Sequence, residues 1–290
     1  MKVLNLGVVA ICLSLGPNAQ AKVAGGGSAE DVATGMLDGV SSPQQIGDAQ
    51  ISPLAFVQRF ANTGNLSDFE GFEQDRARAN PGGSARYVKS GGTDFRILVH
   101  NADRDGSDRQ RSEIKGLKGG GSQINFSRGQ TWRLVYDMVI PSSLKPGSKF
   151  CHIHQEKMVN TDGGSSGTPL VTLSLGVNGS TPIIGLRSLN GDGAFVFPTN
   201  LAPLINRRLT VELTFKFDTA SRGGFVSYVL RDGARTVVSG TRNGVNMWLN
   251  EGGTGQRARP KWGIYRSIAG TNGSIESSIT LGNIRAFMNQ

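Results

Sequence analysis

Residues 131–140, TWRLVYDMVI, place Trp132, Leu134, Tyr136, Met138 and Ile140 at every second position, with Thr131, Arg133 and Asp137 between them. A period of two is the signature of a strand with one buried and one wet face. The same alternation returns at 209–218, LTVELTFKFD, where Leu209, Val211, Leu213, Phe215 and Phe217 share a side.

Outward from these two segments the chain reads as short strands separated by Gly, Asn, Asp and Pro. Further strands are expected over 85–89, 94–100, 109–115, 149–157, 170–177 and 183–189. The C-terminal half adds 224–231, 235–239, 261–267 and 277–287. Only 18% of residues are charged and Gly reaches 41, a balance that favours strands and turns over long helices. A short helical turn is expected around residues 53–60. About a dozen strands with turn signals between them point to a sandwich, jelly roll or barrel, and 290 residues suit one large β domain.

The first 21 residues, MKVLNLGVVAICLSLGPNAQA, give one Lys, an apolar run and an Ala-x-Ala ending at Ala21. The run is too short for a stop-transfer helix, so a secretory signal cleaved after Ala21 is expected, with a secreted or periplasmic mature protein. Residues 22–50 are small and polar and read as a linker or loose arm, leaving 51–290 as the folded domain. Loss of the leader removes Cys12 and leaves Cys151 alone in an apolar-leaning strand, where an inert buried thiol is expected and no internal disulfide can form. The formal charge is +9, and the leader's Lys2 accounts for one unit of it. Such a surplus attracts polyanions: a uronate polysaccharide, nucleic acid or an anionic membrane.

Three further stretches carry chemistry. KFCHIHQEK (149–157) holds two of the three histidines, His152 and His154, and strand alternation would put both rings on one sheet face. His-x-His can serve a metal, but Met158 and Val159 occupy the places where a cupin-type site would add ligands, so no metal is assigned. DRQRSEIKG (108–116) puts Arg109, Arg111, Glu113 and Lys115 on one face, and charges this close call for a polar groove or open solvent. RPKWGIYRS (259–267) puts Lys261, Gly263 and Tyr265 on one face and Trp262 and Ile264 on the other, so Gly leaves a shallow floor between Lys and Tyr. The acidic run NADRDGSDRQ (101–110) does not complete a calcium loop and has arginines beside it; a structural calcium elsewhere is left open but not indicated.

In this order, Arg111-Ser-Glu113, His152-Ile-His154 and Lys261-Trp-Gly263-Ile-Tyr265 resemble the three motif blocks of jelly-roll polysaccharide lyases. Family 7 alginate lyases carry an Arg-x-Glu strand, a Gln-Ile-His strand and a Lys-Ala-Gly-x-Tyr strand. His152 stands where that family has Gln, Lys115 where a second Arg is common, and Ser267 where a Gln follows the Tyr. The form His152-Ile-His154-Gln155 with Lys261 to Ser267 is more similar to glucuronan lyases, polysaccharide lyase family 20, and also resembles the heparin lyase groups.

The resemblance implies an all-β jelly roll, a two-sheet antiparallel sandwich with a concave groove for a polyuronate, cut by β-elimination. Tyr265 is then the acid and also a candidate base, and His154 is the alternative base. Arg111 and His152 neutralise the carboxylate, while Lys261, Glu113, Lys115 and Gln155 contact substrate. No cofactor, nucleic acid, membrane or second subunit is expected. An alginate lyase of the same fold and a non-catalytic carbohydrate-binding jelly roll are the alternatives. A retaining or inverting hydrolase would need a carboxylate pair, and no Glu-x-Asp-x-x-Glu cluster is present.

Overall fold

The structure is a computed structural model that describes residues 55–146, 149–159, 168–187, 193–249, 256–269 and 276–290. The expected leader (1–21) and arm (22–50) lie outside the described residues. In chain order the strands are β1 (Phe56–Ala61), β2 (Gly71–Gln74), β3 (Tyr87–Gly91), β4 (Asp94–Val99), β5 (Arg109–Lys115), β6 (Lys118–Gly119), β7 (Ser122–Gln123) and β8 (Thr131–Val139). They continue as β9 (Cys151–Val159), β10 (Val171–Asn178), β11 (Thr181–Arg187), β12 (Val196–Asn200) and β13 (Arg208–Lys216). The last are β14 (Phe225–Asp232), β15 (Arg235–Asn243), β16 (Arg257–Ser267) and β17 (Ser277–Asn289).

Two antiparallel sheets hold nearly all of them. One runs β15, β14, β13, β8, β17, β4, β3, with β1 also paired to β17; the other runs β12, β11, β10, β9, β16, β5, β2. The helical turn expected over 53–60 is instead strand from Phe56 onward, because Phe56 to Ala61 finds free backbone partners along Arg285 to Asn289 at the end of β17. Strands β2 and β12 were not expected from the sequence.

The alternating segments pack as their period dictates. Trp132, Leu134, Tyr136 and Met138 of β8 are buried and lie opposite Phe215, Leu213, Val211 and Leu209 of β13. Each such side chain contributes roughly 1.5–3 kcal/mol on leaving water. Their partners across the sandwich include Trp262 and Ile264 of β16 and Ile114 of β5, which belong to the same core cluster. Tyr136 meets Trp262 edge to face at 6.0 Å between ring centroids.

The second sheet carries two irregularities at one level. Pairing of β9 with β10 shifts between Leu173 and Ser174, and pairing of β9 with β16 shifts between Trp262 and Tyr265. A bulge inserts an odd residue and so re-aims the side chains on one side of it. Consequently His152 pairs with Ser174 and Tyr265, whereas His154 pairs with Leu173 and Trp262, both core residues. The two histidines lie on opposite faces of the sheet. This corrects the expectation that His-x-His shares one face, which holds only in a regular strand.

Candidate active site

An open groove of about 1240 Å³ lies on the outer face of the second sheet. Its walls and floor come from Phe72 and Glu73 of β2, Arg109, Arg111 and Lys115 of β5, His152, Gln155 and Lys157 of β9, and Arg259, Lys261 and Tyr265 of β16. Asp105 and Phe150 add loop contributions.

At one end Tyr265 sits in a nest of rings and cations. The Arg111 guanidinium lies 3.8 Å from the centroid of the Tyr265 ring, and Arg109 Nη1 donates to the Tyr265 hydroxyl at 3.3 Å. Phe150 stacks on His152 at 4.8 Å and leans on Tyr265 at 4.9 Å, while the His152 and Tyr265 rings are 6.0 Å apart. Arg109 and Arg111 thus bring two cations against the phenol. His152 is held neutral: burial first, then the nearby Arg187, Lys157 and Arg111, lower its pKa to about 3.

Further along the groove, the acids and bases of β2, β5 and β16 neutralise one another. Glu73 binds Lys261 at 2.8 Å, Lys115 at 3.3 Å and the Arg111 guanidinium. Burial opposes its charge, yet Lys261, Arg111 and Lys115 together hold its carboxyl well below the usual range. Arg111 also meets Asp105 at 3.0 Å and Glu113 at 3.6 Å, so its charge faces three carboxylates. Glu113 lies wholly beneath the surface, where burial raises its pKa, and accepts from Gln155 Nε2. Burial lowers the Lys261 ammonium as well, and brings Lys157 down to about 8.

Six of the eight residues to which the resemblance gave roles therefore meet at the groove: Tyr265, Arg111, His152, Lys261, Lys115 and Gln155. Glu113 supports it from below. His154 does not reach it. Its ring is fully buried on the core side, stacked 5.7 Å from Tyr136 and edge-on to Trp262 at 5.4 Å, with Nε2 3.3 Å from Glu156 Oε1. Burial lowers the pKa of His154 to about 3 and raises that of Glu156, so the pair stands neutral in the core. The alternative base role that the resemblance implied for His154 is corrected accordingly: the bulge turns it inward.

Sequence reasoning missed Glu73, Phe150, Lys157 and Arg259. Lys157 and Arg259 follow from alternation, two residues beyond Gln155 and two before Lys261. Glu73 gave no signal, because the four residues of β2 are too few to show a period. Among the described residues no group of three or more His, Cys, Asp and Glu could hold a metal ion.

No protein-family model and no curated protein matches the chain. Solved structures do. Alginate lyase A1-II′, a member of polysaccharide lyase family 7, is 12% identical and superposes with a TM-score of 0.51 over 80% of this chain and 100% of its own. A substituted form of the same lyase in complex with product gives 14% identity and 0.51 over 79% and 99%. Alginate lyase PA1167 from Pseudomonas aeruginosa is 15% identical, with a TM-score of 0.49 over 78% and 100%. The chain shares the fold of alginate lyase A1-II′.

Proposed function

We propose that the chain is an exported polysaccharide lyase that cleaves a β-1,4-linked polyuronate by β-elimination, with glucuronan as its preferred substrate. The observation that carries this reading is the pairing of a neutral His152 with Tyr265 on the floor of a cation-lined groove, Arg111 stacked on the phenol.

Elimination removes the weakly acidic C5 proton, passes charge into the uronate carboxylate and expels O4. His152 supplies an uncharged nitrogen to take the C5 proton, and the Tyr265 hydroxyl gives a proton to O4. Gln155, Lys261 and Lys115 receive the carboxylate and stabilise the enolate-like dianion; Glu73 stands against the same lysines and competes for them. Arg111, already faced by three carboxylates, acts chiefly through the Tyr265 ring. Proton transfer and charge neutralisation complete the step, so no cofactor is called for.

His152 and Tyr265 rise from neighbouring strands on one sheet face and so reach the same side of a sugar ring. In glucuronate and mannuronate H5 and O4 lie on one side, and in guluronate on opposite sides, which favours the first two. The sequence form His152-Ile-His154-Gln155 supports glucuronate between them. The alginate lyases that share the fold make alginate the first competitor to assay.

The test is the appearance of unsaturated uronate ends, read by ultraviolet absorbance, on glucuronan, alginate and heparin. Wild type should produce them on glucuronan most rapidly, and Tyr265→Phe should bind the polymer without producing them. Binding by wild type with no unsaturated ends on any of the three would favour the carbohydrate-binding reading instead.

A further inference from the structure

Behind His152, away from the groove, runs a chain of buried hydroxyls whose polarity is set at its far end. His152 Nδ1 lies 2.8 Å from Ser174 Oγ, and Ser174 Oγ lies 2.8 Å from Thr172 Oγ1. Thr172 Oγ1 in turn reaches the backbone carbonyl of Arg187 at 3.5 Å. Ser174 and Thr172 are both fully buried, so water does not substitute for these contacts. They are neighbours two apart on β10, on the face that carries His152, while Leu173 between them turns into the core.

A carbonyl oxygen only accepts. With Thr172 donating to Arg187, its oxygen is left to accept from Ser174. Ser174, having donated, offers an oxygen that only an N–H can meet. We infer that Thr172 and Ser174 are positioning residues that fix His152 as the Nδ1–H tautomer and leave the Nε2 lone pair facing the groove as the proton acceptor. The assignment deepens the lyase reading and rests on it for the acceptor role, but the tautomer is a property of the resting protein. It also explains the use of two hydroxyls rather than a carboxylate. A carboxylate behind the ring would orient it equally well but would draw it toward the imidazolium, whereas a neutral relay leaves the ring uncharged and able to accept.

The chain has three histidines, so the experiment is nitrogen NMR of the protein labelled at histidine, with His152 assigned by the signals missing from His152→Gln. Near neutral pH wild type should show a protonated Nδ1 and an unprotonated Nε2 at His152. Ser174→Ala and Thr172→Val should both shift the population toward Nε2–H. On polyuronate they should lower kcat by roughly tenfold or more with KM within about twofold, since orientation of a general base is lost and not the binding of the polymer. Thr172→Ser, which keeps the hydroxyl, should restore the wild-type spectrum. A proton on Nε2 in wild type overturns the inference, and wild type alone decides it if a variant fails to fold. If wild type shows the Nδ1–H form yet cleaves no polyuronate, the tautomer assignment stands and the lyase reading falls.

Discussion

Gly263 is the position at which fold and site meet, and its replacement by alanine has a calculable effect. Its φ is +138°, a conformation essentially reserved for glycine, and an added Cβ would stand 2.2 Å from the carbonyl oxygen of Ser112 and 2.9 Å from Glu113 Cα. Neither is the end of a flexible side chain; both belong to the backbone of β5. The dihedral costs about 1–3 kcal/mol for an L-residue. Forcing two paired strands apart adds about 1–3 kcal/mol of overpacking. The total, about 2–6 kcal/mol, converts to a fall in Tm of at least about 4 °C and about 12 °C at mid-range for a domain of this size. Because Gly263 pairs with Glu113 and Tyr265 with Arg111, the same displacement lifts Tyr265 off the Arg111 guanidinium. Thermal melting beside the unsaturated-product assay checks both consequences. A Gly263→Ala protein that melts within about 1 °C of wild type and keeps full activity would refute the account of the bulge.

The other predictions concern the charges around it. His154→Phe, which exchanges one buried ring for another, should leave kcat within about threefold of wild type, whereas His152→Ala should lower it by roughly 10²–10⁴ as general-base catalysis is lost; equal losses would return the base role to His154. Burial holds both histidines neutral in the fold down to about pH 3, against the ordinary imidazole value of 6.5. The unfolded chain therefore binds more protons between those values, so this contribution to stability is full above pH 6.5 and is lost as pH falls toward 3. Denaturant midpoints across that window should decline less steeply for His154→Phe than for wild type, and an identical slope would contradict the burial effect. Glu73→Gln removes a carboxylate that competes with substrate for Lys261 and Lys115, so KM should fall by about two- to fivefold, the equivalent of about 0.5–1 kcal/mol; an unchanged or higher KM would show that Glu73 serves instead to hold the lysines in place.

What was legible in the sequence follows from which signals are periodic. TWRLVYDMVI and LTVELTFKFD announced paired core strands because every second residue is large and apolar, and they are neighbours in the sheet. The Arg111 to Lys115 and Lys261 to Tyr265 segments pair with each other in unbroken register, so alternation assigned their faces correctly. The expectation failed for His154, since a bulge on β9 has no residue signature in KFCHIHQEK and a shift of one residue reverses the face. The helical turn expected over 53–60 gives way to strand from Phe56 because a strand of this kind is decided by its partner, here the end of β17, and not by its own pattern. The burial of the charged face was also illegible. Arg111 and Lys261 are buried because Glu73 arrives from β2 to offset them, a contact spanning 188 residues for Lys261.

The central claim is that the groove breaks a polyuronate without adding water. Mass spectrometry of the oligomers released from glucuronan by the wild-type protein tests it most directly. The account predicts fragments with unsaturated non-reducing ends, each one water lighter than a hydrolysis product. Fragments of full hydrolytic mass, or an intact polymer recovered after binding, would contradict it.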